Sequence, residues 1–345
     1  MSVIFVDGIV AGLERRDPAA LARAISMVEN QREGFERILA HAYERVGRGG
    51  TSRVGITGPP GAGKSTLTER LIHAFRAAEL RVGVVAVDPT SPFTGGALLG
   101  DRIRMESTGL DPHVFIRSMA TRGSHGGLAT TTEEVADLLE AGGFDRILIE
   151  TVGVGQTELD IAGIADTTVL VLVPESGDGI QTLKAGVMEI ADIYVITKSD
   201  RAGADKLRHE VEVMLGIRRG KAFRHVAPHH APAVGASHEQ PDGGWEPPVI
   251  GTVATTGDGL TELVAALDRH TAYVRASGVL EDRRRQRLER RLRALVERAV
   301  QRWVWDGGGA EALVAERVDD VAGGGQNPYD VAAEIVRQVT RRAAR

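Results

Sequence analysis

Apolar positions along the chain change period twice, and the changes divide it into three stretches. Over residues 1–50, Leu21, Ala24, Ile25 and Val28 recur at three- and four-residue spacing, and so do Phe35, Ile38, Leu39, Ala42 and Val46, the spacing of helix faces turned towards a core. Asp17-Pro18 supplies a helix start for the first set, and Gly47–Gly50 ends the stretch. From Ser52 short apolar runs alternate with longer helical windows. The runs are Val54–Thr57, Val82–Val87, Val114–Arg117, Ile147–Thr151, Val169–Val173, Ile193–Thr197 and Val249–Val253. The windows are Ser65–Ala77, Thr131–Ala141, Gln181–Ile190, Ala204–Leu215 and Leu260–His270. Runs that are largely apolar suit strands buried on both faces. Their alternation with helices predicts an α/β fold, a mostly parallel twisted sheet with helices on both faces. Residues 218–248, rich in Gly, Pro and His, read as a loop. Beyond about 271 the helical period returns. Leu288, Leu292, Leu295, Ala299 and Trp303 fall on one face of a long Arg-rich helix, and two further helices follow, the last from near Pro328. The expected organisation is an N-terminal helical extension over 1–50, an α/β domain over 51–272 and a C-terminal helical region over 273–345.

Composition narrows the functional classes. With 345 residues, of which 42% are hydrophobic, the chain can bury a sizeable core, but 4% aromatic content leaves the packing to Val, Leu, Ile and Ala. A net charge of −5 argues against a general nucleic-acid binder, which needs a basic face. The absence of Cys removes disulfides, thiolate metal sites and a Cys nucleophile. Val3–Leu13 is apolar but broken by Asp7 and preceded by nothing basic, so no signal peptide or membrane helix is expected, and the cytoplasm is the expected compartment. Lysine is rare. Of five, Lys64, Lys184, Lys198, Lys206 and Lys221, the first three fall in the candidate site segments that follow.

Gly58-Pro-Pro-Gly61-Ala62-Gly63-Lys64-Ser65 matches G-x-x-x-x-G-K-[ST] between an apolar run and a helix whose inner face is Leu67, Leu71, Ile72 and Phe75. The glycines let backbone N–H groups wrap a phosphate at a helix N-terminus, where Thr66 also lies. Lys64 is expected to neutralise the β- and γ-phosphates, and the Ser65 hydroxyl to ligate Mg²⁺. Mg²⁺ also takes one or two carboxylates. Asp88 ends VGVVAVD, Glu150 ends RILIE, and Asp101 lies in the Gly-rich TGGALLGDRIRM. Each can instead cap a strand, but Asp88 and Glu150 are expected on strands that both adjoin the P-loop strand, at its carboxyl edge. Glu150-Thr-Val-Gly153 forms an acidic-x-x-Gly turn whose Gly153 N–H can approach a γ-phosphate. Gln156, in the loop that follows, has two open readings: it orients the attacking water, or it is an ordinary loop residue.

Thr197-Lys198-Ser199-Asp200 follows the run Ile193–Ile196, where a [NT]-K-x-D segment reads guanine. The aspartate accepts two hydrogen bonds from the base, adenine lacks the matching donors, and the Lys stem covers the ring. Val253-Ala254-Thr255, after the next strand, stands where a backbone contact to the guanine oxygen is expected. The order of the three segments, each on its own strand, points to GTP over ATP.

These residues make the chain resemble the MeaB/ArgK/MMAA family, P-loop GTPases of the SIMIBI class that act as chaperones for coenzyme-B12-dependent methylmalonyl-CoA mutase. The resemblance runs through GITGPPGAGKST (55–66), VAVDPTSPFTGGALLGDRIRM (85–105), FIRSMATRGSHGGLA (115–129), ILIETVGVGQTE (147–158), VLVPESGDGIQTLKAG (171–186), ITKSD (196–200) and NPYDVAAEI (327–335). It implies Mg²⁺ held by Ser65, Asp88, Asp101 and Glu150, bound GTP or GDP, and mobile regions near 88–105, 150–162 and 174–186. It also implies that Gln181 and Lys184 couple hydrolysis to a B12-dependent acyl-CoA mutase, and that C-terminal helices build a homodimer. Lys184 can equally be a solvated helix residue. Thr197 stands where Asn is commoner and Ser124-His125 where a bulky apolar residue is expected. Whether a threonine hydroxyl makes the contact to the P-loop is left open by the sequence.

Two other classes compete. A GTPase metallochaperone would normally carry Cys- or His-based motifs, whereas His225, His229, His230 and His238 are scattered through the Pro/Gly loop. For a kinase linked to amino-acid transport, no residue suggests a pocket for an acceptor substrate, and T-K-x-D favours guanine.

Overall fold

The computed structural model describes residues 3–89, 111–121, 127–151, 157–174, 185–218, 244–307 and 309–343. Three helices come first, α1 (Val3–Glu14), α2 (Pro18–Glu29) and α3 (Phe35–Tyr43). Asp17 caps α2, its carboxylate accepting the Ala19 N–H at 2.9 Å. An alternating array follows: β1 (Ser52–Thr57), α4 (Lys64–Ala77), β2 (Val82–Pro89), β3 (Val114–Thr121), α5 (Gly127–Ala141), β4 (Arg146–Thr151) and α6 (Thr157–Ile164). It continues with β5 (Thr167–Leu172), α7 (Ala185–Glu189), β6 (Ile193–Thr197), α8 (Ala204–Arg218), β7 (Val249–Thr252) and α9 (Leu260–Ala276). Then come α10 (Val279–Arg302), a π turn (Trp303–Gly307), α11 (Ala310–Ala322) and α12 (Pro328–Ala343). Two compact units result, Met1–Arg283 and Arg284–Arg345. Among the described residues no helix is long and apolar enough to cross a membrane.

All seven expected strands form, in the order β3-β2-β4-β1-β5-β6-β7, and every adjacent pair is parallel. Successive side chains alternate between faces. Val54, Ile56, Val169, Val171, Ile193 and Val195 pack with α4 and α9. On the other face Leu170, Leu172, Tyr194 and Ile196 pack with α7 and α8, and Ile147, Ile149, Val85 and Val87 with α5, α6 and the N-terminal helices. Helices therefore cover both faces, as the alternation predicts. The helix α6 was not foreseen; the only expectation for its sequence was a mobile stretch.

One expectation is corrected. Only β4 adjoins the P-loop strand β1 on that side; β2 pairs with β3 and β4, and β4 lies between β2 and β1. Runs of apolar residues announce strands, but the crossover after α5 decides which slot β4 takes, and no local pattern encodes it.

The amino ends of three strands share a device. Asp145, Asp166 and Asp192 each directly precede a strand, and each accepts an N–H from the neighbouring chain: Arg81 at 2.8 Å, Arg53 at 3.1 Å and Thr168 at 2.8 Å. A carboxylate before an apolar run thus ties the entry of each strand to its neighbour.

In the C-terminal unit, Ala310, Val331, Ile335 and Val339 form a small core with Val304, Leu313 and Val321 around it. Leu288, Leu292, Leu295 and Trp303 are exposed, as are Val296 and Val300 beside them.

Candidate nucleotide-binding site

The loop from β1 to α4 is shaped by glycine. Gly58, Gly61 and Gly63 have φ of 143°, 73° and 86°, values that side-chain-bearing residues rarely adopt. At Gly58 space forbids a side chain too, since a Cβ would lie 2.1 Å from the Val171 carbonyl oxygen. Gly63 is the N-cap of α4, so the N–H groups of the helix's first turn, at Lys64, Ser65 and Thr66, lie at the loop end of the helix. Lys64 is buried, and its Nζ donates to the carbonyls of Gly58 at 2.8 Å and Pro59 at 3.0 Å. Its charge therefore sits inside the ring of the loop. Ala62 is buried and Gly61 and Thr66 are exposed.

Glu150, nearly at the carboxyl end of β4, faces this helix turn. Its register partner on β1 is Ile56, two residues before Gly58. The Ser65 hydroxyl donates to Glu150 Oε1 at 2.7 Å and the Thr68 hydroxyl to Oε2 at 2.7 Å. Thr151 then donates to Thr57 at 3.1 Å, joining the ends of β4 and β1. A hydroxyl and a carboxylate beside the loop lysine are hard oxygen donors of the kind Mg²⁺ takes, so the residues present fit that ion. Asp88 lies at the carboxyl end of β2, where the register places it two positions beyond Ala86, the partner of Glu150. Asp101, Gly153, Gln156, Gln181 and Lys184 lie outside the described residues, as do Ser124-His125 and the four loop histidines. Among the described residues no group of three or more His, Asp or Glu is arranged to hold a metal by itself.

The T-K-x-D segment is physically attached to the G-x-x-x-x-G-K-[ST] loop. Thr197, buried at the end of β6, places its hydroxyl 2.5 Å from the Ala62 carbonyl oxygen and 3.0 Å from that of Leu172. A hydroxyl has one hydrogen, so it serves one carbonyl at a time. The open question about threonine is answered by geometry: the contact across to the P-loop exists. Lys198 follows with φ of 52°, a left-handed conformation costing a non-glycine residue about 1 kcal/mol or more. That turn redirects the chain so that Ser199 N–H meets the Thr252 carbonyl at 3.2 Å. Asp200 is exposed at its tip, so a bound base itself has to shield this carboxylate from water.

Val253-Ala254-Thr255 begins a tight turn. The Val253 N–H donates to Asp258 at 3.1 Å and the Gly257 N–H to Val253 at 2.8 Å. Arg70 on α4 donates to the Thr255 carbonyl at 3.1 Å, tying this turn to the P-loop helix. Two positions escaped the sequence reading, Thr68 and Arg70. Thr68 had a signal, since it is a polar residue set between Leu67 and Leu71 on the inner face of α4. Arg70 had none in a chain this rich in arginine.

The chain is similar to several known proteins. The family described as methylmalonyl Co-A mutase-associated GTPase MeaB matches residues 21–308. A putative GTPase of Pyrococcus abyssi is 48% identical over 291 residues, 84% of this chain and 84% of its own. The methylmalonic aciduria type A homolog, mitochondrial, of Mus musculus is 38% identical over 295 residues, 81% of this chain and 66% of its own. The GTPase ArgK of Escherichia coli is 33% identical over 84% of this chain and 82% of its own. The crystal structure of a LAO/AO transport system kinase superposes with a TM-score of 0.67 over 99% of both chains at 24% identity, which shows the shared fold.

Proposed function

The chain belongs to the family of methylmalonyl Co-A mutase-associated GTPases, and from that premise we propose that it hydrolyses GTP with Mg²⁺ as a chaperone of a B12-dependent acyl-CoA mutase. The mutase would be methylmalonyl-CoA mutase or a close relative, with this chain gating cofactor loading and protecting or reactivating the enzyme. The observation that carries the GTPase part is the tie from Thr197 to Ala62, because it fixes a T-K-x-D turn against a phosphate loop in one rigid edge. The mutase client rests on what the family and its relatives are called.

The chain's own residues divide the work. N–H groups at the start of α4 cradle the phosphates, and Lys64 Nζ turns from its loop carbonyls to the β- and γ-phosphate oxygens. Ser65 and Glu150, with Asp88 and Asp101, hold the metal ion, and Mg²⁺ when bound neutralises charge developing on the γ-phosphate. Asp200 accepts the guanine N–H groups, the Lys198 stem covers the base, and the backbone of Val253–Thr255 meets its oxygen. Gly153, Gln156 and Lys184 belong to the segments that sense the γ-phosphate and report it to the partner.

A homodimer built through the C-terminal unit is part of the same proposal. Leu292 and Val296 are 53% and 61% exposed on α10, a run of apolar surface that a second copy would cover.

The test is a pull-down of candidate acyl-CoA mutases by the full chain, once with a GTP analogue and once with GDP. Nucleotide-dependent capture of one mutase, with faster GTP turnover in its presence, is the expected result. Capture of none in either state overturns the client while leaving the GTPase in place.

A further inference from the structure

Thr68 is not among the site residues the sequence marked. This side chain is fully buried, one helical turn beyond Lys64. Its hydroxyl lies 2.7 Å from Glu150 Oε2 and 3.0 Å from the Lys64 carbonyl. Only one hydrogen is available. The Lys64 carbonyl is already the regular helical acceptor of the Thr68 N–H, whereas a carboxylate oxygen gains more from a hydroxyl donor than a neutral carbonyl does. The shorter contact to Glu150 is therefore the one the hydrogen serves.

Glu150 is itself buried, and its two oxygens are divided between two hydroxyls of α4 that lie three residues apart, Ser65 on Oε1 and Thr68 on Oε2. The two are not equivalent. Ser65 opens the helix and is only half-buried, so it can turn its lone pairs to a metal ion, and its hydrogen then leaves Oε1. Thr68 is one layer deeper and has no such second task. We propose that Thr68 is a positioning residue of the magnesium site: its hydroxyl anchors one oxygen of Glu150, so that the carboxylate keeps its place when Ser65 turns from it to the metal. The inference rests on reading this edge as a magnesium–nucleotide site. It adds that the site's readiness for the ion depends on a side chain that touches neither ion nor nucleotide.

The experiment measures the affinity of the full chain for fluorescent GDP, once with excess Mg²⁺ and once with EDTA. The readout is the factor by which Mg²⁺ tightens binding. Thr68→Val keeps the side-chain volume but removes the donor and leaves a buried carboxylate oxygen facing a methyl group. It should lower that factor about tenfold while leaving affinity in EDTA within about twofold, and Thr68→Ser should restore it. A Thr68→Val protein with the parent's magnesium factor overturns the proposal. So does one whose affinity falls equally in both media, since that marks a role confined to holding the helix. A parent chain whose GDP affinity ignores Mg²⁺ overturns the reading of the site and the proposal with it, which separates the two failures.

Discussion

The two edges of the sheet differ in how they hold buried charge. At the amino edge charged groups are matched with one another, beside the buried hydroxyls of Thr51, Ser52, Thr167 and Thr168. Arg53 is buried with Asp137 at 2.7 Å and Glu140 at 2.6 Å, and Glu140 also accepts the Gly47 N–H at 2.8 Å. Burial works against its charge, but the three carboxylates of Asp137, Glu140 and Asp166 outweigh that and hold the guanidinium firmly protonated. Asp192 takes Arg283 at 2.8 and 3.0 Å and His270 at 3.3 Å, while His270 Nδ1 meets the Thr167 hydroxyl at 2.7 Å. At the carboxyl edge the buried polar groups, among the described residues, include the hydroxyls of Thr57, Thr68, Thr151, Thr197 and Thr252 around Lys64 and Glu150. Hydroxyls can rotate their single hydrogen at little cost, and a charged pair cannot exchange partners so easily. On the proposed function, the amino edge is built to stay, and the carboxyl edge is the one that would change partners when a nucleotide arrives.

If that division holds, damage at the amino edge should cost stability and damage at the carboxyl edge should cost function. The largest effect expected is from Arg53→Met, which leaves three carboxylates around an uncharged side chain. It should destabilise the chain by about 3–5 kcal/mol in denaturant unfolding. Nucleotide affinity of the fraction that stays folded should be unchanged; a selective loss of GTP binding would break the comparison. Next is Lys64→Ala, which should slow GTP turnover by at least about 10²–10³-fold, as removal of a charge-stabilising donor does. Its melting temperature should stay close to the parent's, and retained turnover would remove Lys64 from the catalytic assignment.

Asp200→Asn should weaken GTP binding by about 10–100-fold and favour xanthosine triphosphate, whose extra oxygen complements an amide donor. Competition binding with the two nucleotides reads this directly, and unchanged GTP selectivity would dismiss the base assignment. The smallest effect belongs to the amino edge again. Burial alone would raise the Asp192 carboxyl, but hydrogen bonds and charge from His270 and Arg283 hold it below its ordinary value of 3.8. A depressed folded pKa contributes stability that is present above the unfolded value and is lost as pH falls through the folded one. Asp192→Asn should therefore melt about 2–4 °C below the parent at neutral pH, with the gap narrowing below about pH 4. A gap that does not vary with pH would show that the carboxylate's charge does not matter there.

Much of the candidate site could be read from the chain because its parts are local. The phosphate loop is eight consecutive residues whose glycines are required by their own φ angles, and Glu150 and Thr197 close apolar runs that alternate too regularly to be anything but strands. The aspartates at 145, 166 and 192 had a local signal as well, an acidic residue immediately before each run, although its meaning became clear only with the neighbouring strand beside it.

Sequence by itself determined that this chain makes a parallel α/β sheet, with a G-x-x-x-x-G-K-[ST] loop after one strand and a T-K-x-D turn after another. Tertiary structure alone decided that β4 and not β2 flanks the P-loop strand, that Thr197 reaches Ala62, that Arg70 grips the turn at Thr255, and that Thr68 shares Glu150 with Ser65. The reason lies in what each kind of information specifies. Periodicity reports whether a position is buried and the backbone it needs. A hydroxyl or guanidinium gains its meaning from an acceptor that lies far along the chain, 185 residues away for Thr255 from Arg70. Only the packing of the strands brings the two within hydrogen-bonding reach.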